Sequence, residues 1–152
     1  MKLFAPPVDS IFKCYYFRNN FFPEIDDMGN VRETLQEALK IDGALGAALG
    51  DWKTGMCLGS AGTDTPAFPL ASLELAIAGN TNVIRAKMQV AKSLQFKDRI
   101  EDILITLTTQ YHLMRLTQAI DGLFFYLALD REKGNLGLAR IKLTQLERQL
   151  LL

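Results

Sequence analysis

Apolar positions along this chain follow two periods, and the switches between them divide residues 30–150 into eight elements. Val31, Leu35, Ala38 and Leu39 recur at the spacing of one helical face. Asn30 stands where an N-cap would, Glu33 completes a capping-box spacing, and Gly43 is placed to end the helix. Two strands rich in glycine and alanine follow at 41–51 and 56–61, joined by Asp51-Trp52-Lys53-Thr54-Gly55. Strands with so little side-chain volume suit a place where a helix lies close to the sheet.

A long helix is predicted over about 68–94. Leu70, Leu73, Ile77, Ile84, Met88 and Ala91 form one apolar face, and Ala76, Val83, Val90 and Leu94 form a second beside it. Between them remains a narrow polar stripe of Glu74, Asn82, Arg85, Gln89 and Lys92. One sheet needs only one apolar face. The second predicts packing against something else, and pairing of two such helices would set two polar stripes side by side as a docking surface. The simpler reading of the stripe is a solvated face.

Strands are predicted at 100–109, 111–117 and 123–130. Leu123 to Leu129 are apolar at every position, as in a strand covered on both faces. The short connections argue for antiparallel pairing, since a parallel crossover needs a dozen or more residues. Helices therefore lie on both sides of an antiparallel sheet. Ile103, Ile105 and Leu107 alternate with Asp102, Leu104 and Thr106, a pattern that suits an edge pairing with another chain. The last helix repeats a core stripe at Leu136, Ala139, Leu143, Leu146 and Leu150, with Arg140, Lys142, Glu147 and Arg148 on its other face.

Two segments carry a resemblance: Leu39-Lys40-Ile41-Asp42-Gly43-Ala44-Leu45-Gly46-Ala47 and Leu129-Asp130-Arg131-Glu132-Lys133-Gly134-Asn135-Leu136-Gly137-Leu138-Ala139-Arg140. With the order α-β-β-α-β-β-β-α they resemble the bacterial roadblock/dynein light chain family over residues 28–152. The resemblance implies an α+β, profilin-like fold, a five-stranded antiparallel sheet with one long helix on one face and two on the other. It also implies dimers formed through the central helix and the third strand. Placed on this chain, the interface would take Ala76, Val83, Val90, Leu94, Ile103 and Ile105, and a partner would meet Glu74, Asn82, Arg85, Gln89 and Lys92. The implied role is a non-enzymatic adaptor that binds a small Ras-like GTPase, activating it or serving as a scaffold, with no cofactor. A ligand-sensing module of profilin-like architecture is the alternative. It would need an internal cavity, of which the dense Leu/Phe/Ile core gives no sign.

Charge narrows the partners. Lys+Arg and Asp+Glu balance at 17 each, so no overall field holds nucleic acid or an anionic membrane. No apolar run reaches the roughly 18 residues a spanning helix needs, so membrane insertion is not expected. Two cysteines, Cys14 and Cys57, are too few for a disulfide framework and fit no metal spacing, which makes a reducing cytoplasm the default. Residues 1–27 read differently from the rest. They hold Phe4, Phe12, Tyr15, Tyr16, Phe17, Phe21 and Phe22, half of the chain's aromatics, without periodicity and interrupted by Pro6, Pro7 and Pro23. They are expected to be an extension upstream of a domain starting at Met28, non-native sequence or an arm that packs on the domain or a partner.

Candidate chemistry is sparse. Lys53-Thr54-Gly55 and Ser10-Ile11-Phe12-Lys13 match two serine β-lactamase motifs, but the third is missing. No phosphate-cradling Gly-x-x-x-x-Gly-Lys-Ser/Thr loop exists, and Gly43, Gly46 and Gly50 do not fit the dinucleotide fingerprint. His112 lacks visible partners for base or metal work, Cys57 reads as a buried inert thiol, and Glu101 and Asp102 point to opposite strand faces. Trp52, at a turn tip, is either an exposed partner anchor or folded back onto the arm. Arg85 and Arg115 are the candidates for an arginine finger.

Overall fold

The computed structural model describes residues 29–152; the expectations for residues 1–27 lie outside them. The elements are α1 (Val31–Ala38), β1 (Ala44–Asp51), β2 (Met56–Gly62), α2 (Ser72–Ser93), β3 (Asp102–Thr106), β4 (Gln110–Leu116), β5 (Leu123–Asp130) and α3 (Leu136–Gln149). The strands form one antiparallel sheet in the order β2-β1-β5-β4-β3. β5 is central, and Leu123 to Leu129 are buried without exception, as their unbroken apolar run predicts. β3 is an edge, although it is shorter than the 100–109 run expected from sequence.

The sheet separates two cores. On one face α1 and α3 pack Leu35, Ala38, Leu143 and Leu146 against Leu49, Leu113, Phe125 and Leu127. On the other, Leu73, Ile77 and Ile84 of α2 meet Ala48, Met114, Phe124 and Tyr126. The glycine-rich strands explain the closeness of the helices. A Cβ on Gly50 would stand 2.8 Å from the Ile77 side chain, and one on Gly59 would stand 3.0 Å from Val31 on the opposite face. The two segments that carry the family resemblance also meet. Gly43, at φ +79°, lies so close to Gly134 that a Cβ would come within 2.6 Å of its backbone nitrogen, and Asp130 N donates to Gly43 O at 2.8 Å.

Three sequence expectations change. α1 ends at Ala38, so Gly43 serves the turn into β1 and does not terminate the helix. Asn30 makes no side-chain cap on α1; its Nδ2 donates to Gln149 O at 2.6 Å, and its Oδ1 accepts from Leu151 N at 2.8 Å. The unsatisfied carbonyl end of α3 claims the amide because the two ends of the domain converge there. The polar face assigned to α3 is also partly internal. Glu147 is buried, and Arg140 forms a two-pronged pair with Asp102, both bonds 2.8 Å. That pair binds α3 to the start of β3 and holds the Arg140 guanidinium pKa above its usual value.

Candidate partner-binding surface

Helix α2 lies chiefly over β1 and β2. One helix is too narrow to cover five strands. The α2 side of β3 and β4 therefore keeps Ile103, Ile105 and His112 only half-buried. Along the outside of α2, Ala76 and Val83 are partly exposed, Val90 is 49% exposed and Leu94 59%. Leu75, which the sequence faces omitted, is 77% exposed. Gly79 lies on the same side, and a Cβ there would meet nothing within 4 Å among the described residues. Mid-helix glycine costs about 1 kcal/mol relative to alanine, yet here no neighbour among the described residues requires it.

The polar stripe is present: Glu74, Asn82, Arg85, Gln89 and Lys92 are all exposed on α2. Arg85 is already engaged. Its Nε donates to Trp52 O at 2.9 Å and its Nη2 to Lys53 O at 2.6 Å, which pins the β1–β2 turn to the helix. Trp52 N donates to Gly122 O at 2.8 Å, and Lys53 pairs with Asp121, whose carboxyl is pushed below its ordinary pKa chiefly by that lysine. Trp52 itself is half-buried against the α2-side core. The second arginine, Arg115, is 7% exposed beneath α3. Its Nε lies 3.4 Å from Glu147 Oε2, at ion-pair distance but without hydrogen-bond geometry. An internal side chain cannot enter another protein's site, which removes Arg115 as a finger. The Arg115–Glu147 pair was not foreseen, since each residue alone reads as surface.

His112 is held in its neutral form. The Tyr126 hydroxyl donates to Nδ1 at 3.1 Å, leaving Nε2–H to donate to Gln110 Oε1 at 3.0 Å, and burial lowers the imidazole pKa. Tyr126 is raised by its own burial. Cys57 is half-buried and disulfide-bonded, which corrects the expectation of an inert free thiol; Cys14 lies outside the described residues. Among the described residues no cluster of His, Cys, Asp and Glu could hold a metal, and no helix is long and apolar enough to cross a membrane.

No protein-family model and no curated protein matches the sequence. Solved structures do match in shape. MglB of Myxococcus xanthus superposes with a TM-score of 0.68 at 15% identity, covering 85% of this chain and 90% of that one. An MglB with tetrameric arrangement gives 0.67 at 21% identity, over 80% and 85% of the two chains. A Roadblock/LC7 domain from Streptomyces avermitilis gives 0.62 at 12% identity, over 84% and 94%. The fold is that of a roadblock domain. The exposed seam lies on the long central helix, and the half-covered isoleucines lie on the third strand.

Proposed function

We propose that this protein is a dimeric, non-enzymatic roadblock adaptor that binds and regulates a small Ras-like GTPase. The observation that carries the reading is the unfinished α2 face, with Leu75, Val90 and Leu94 exposed around a glycine whose added Cβ would meet none of the described residues. Two α2 helices across a two-fold axis would bury Ala76, Val83, Val90 and Leu94. They would also cover Ile103 and Ile105 while the β3 edges meet. Self-association has a precedent in the tetrameric arrangement of one neighbour of this fold. Glu74, Asn82, Gln89 and Lys92, two copies side by side, would then form a mixed-charge platform for one GTPase. Arg85 supports the platform by fixing the adjacent turn.

Residues 28–152 constitute the roadblock domain in this reading, with 1–27 an appended extension. Its support is the closure of the domain on itself, Asn30 N donating to Leu151 O at 3.2 Å. Light scattering tests the dimer. The wild-type chain should be dimeric at micromolar concentration, and Val90→Glu should be monomeric or insoluble; a stable wild-type monomer removes the proposal. Partner binding is tested by pulldown with GTP and GDP analogues. Gln89→Ala with Lys92→Glu should lose the GTPase while keeping the dimer and the Arg85-bound turn, and retention at wild-type strength would place the docking face elsewhere.

A further inference from the structure

From the last turn of α2 onward, residues 92–99 are exposed without a break, so the helix end and the loop after it stand clear of the domain. The helix closes in a C-terminal motif, with Phe96 N donating to Ala91 O at 3.0 Å and Gln95 N to Lys92 O at 3.0 Å. The motif needs a left-handed residue, ordinarily glycine, and here Gln95 takes it at φ +55°. The following apolar residue usually folds back on the helix, but Phe96 remains 63% exposed.

The charge of the segment leading to Phe96 is of one sign. From Leu75 to Lys97 the chain contains no carboxylate, while it contains Arg85, Lys87, Lys92 and Lys97. Lys87 and Lys92 lie about 140° apart around the helix axis, and Lys97 and Arg99 follow Phe96. Asp98 is the one carboxylate within 92–99. Lys87, Lys92 and Lys97 enter no ion pair among the described residues. We propose that this tip binds an anionic lipid surface, Phe96 entering the headgroup layer with Lys87, Lys92 and Lys97 ringed over the phosphates. A peptide held in a groove is met from one side, whereas cations on several sides of a projecting aromatic fit a plane. The neutral balance of the whole chain is no obstacle, because screening confines the interaction to charges within about 10 Å of the surface.

The proposal does not rest on the dimer or on the GTPase, and its test contains neither partner. The full chain is sedimented with phosphatidylcholine vesicles, with and without phosphatidylglycerol. It should bind only the anionic vesicles, less at higher salt. Lys92→Glu with Lys97→Glu should lower the bound partition at least about tenfold, and Phe96→Ser about fivefold. The charge-matched pair Lys133→Glu with Arg148→Glu, on the far side, should leave it unchanged. Absence of binding to anionic vesicles overturns the proposal. So does an equal loss in the far-side pair, or no loss in Phe96→Ser, either of which reduces the effect to bulk charge. If Phe96→Ser instead abolishes capture of an acidic protein while vesicles are ignored, the tip serves a protein and the lipid assignment fails. Light scattering on each variant separates these outcomes from a change in oligomeric state.

Discussion

On the α1/α3 face of the sheet, charged and polar side chains close the structure onto itself, whereas on the α2 face similar residues stop at the boundary and leave apolar surface open. Asp102 grips Arg140, Glu147 reaches Arg115, and Asn30 holds the end of α3. Across the sheet, Arg85 holds a turn, but Leu75, Val90 and Leu94 face solvent and Ile103 and Ile105 are half-covered. Both faces have a core of fully buried residues, so the difference is not one of folding quality. It separates a face finished within one chain from a face that a second molecule can finish. Polar and charged groups paired inside the chain make the first face specific, and the bare seam makes the second one adhesive.

The largest test of this contrast is Glu147→Ala. Glu147 Oε1 accepts from the backbone amide of Ala119 at 3.3 Å and from that of Gln118, and the carboxylate is the ion-pair partner of buried Arg115. Its removal leaves an uncompensated internal charge, with an expected loss of about 3–5 kcal/mol in denaturant titration. Because the pair belongs to the closed face, the remaining folded protein should keep the wild-type oligomeric state. A change in assembly without a loss of stability would mean that the two faces are not separate.

How much of this was legible beforehand varies by residue, for physical reasons. β5 was plain because seven consecutive apolar side chains leave no polar face to expose. The close helix packing was legible in Gly46, Gly50 and Gly59, since missing side chains signal close approach. The central helix revealed its second face through a single periodicity, yet Leu75 escaped because it sits on the border between that face and the polar stripe. Arg115 with Glu147, and Arg85 with two carbonyls, were not legible. Such pairings depend on which strand register meets which helix turn, and nothing local in the chain encodes it. Arg140 and Asn30 were misread for the same reason, each being bound to a distant element in place of solvent or its own helix.

Two glycines bring the contrast to one methyl group. Gly50→Ala places a Cβ 2.8 Å from Ile77 and 2.9 Å from Phe124, inside the α2-side core. Overpacking there should cost about 1–3 kcal/mol, read as a lower denaturation midpoint. Gly79→Ala, on the outside of the same helix, meets nothing within 4 Å among the described residues. In an isolated chain it should therefore stabilise α2 by about 1 kcal/mol. If a second copy packs closely on the seam, the added methyl should instead weaken self-association, so the dimer dissociates at lower dilution even as the monomer grows more stable. Sedimentation equilibrium combined with thermal denaturation reads both quantities. Stabilisation with unchanged dimerisation would show that the interface avoids Gly79.

The smallest expected effect comes from His112 at the half-covered margin of the open face. Its Nδ1 accepts from the Tyr126 hydroxyl and burial lowers its pKa below the ordinary 6.5. With the folded value below the unfolded one, the unfolded chain takes up the proton first as pH falls. Its contribution is complete above about pH 6.5, declines as pH drops through the folded pKa, and then levels off. The lowered carboxyls respond later: Glu37 begins from 4.5 and Asp121 from 3.8, so the interval from pH 6.5 to 4.5 isolates the histidine. Melting temperatures across that interval should fall gently for the wild type and less for His112→Gln. If the margin is covered in the assembled form, deeper burial of the neutral ring should steepen the fall at high protein concentration relative to low. Identical slopes at both concentrations would leave His112 outside any contact, and the covered area would then be confined to α2.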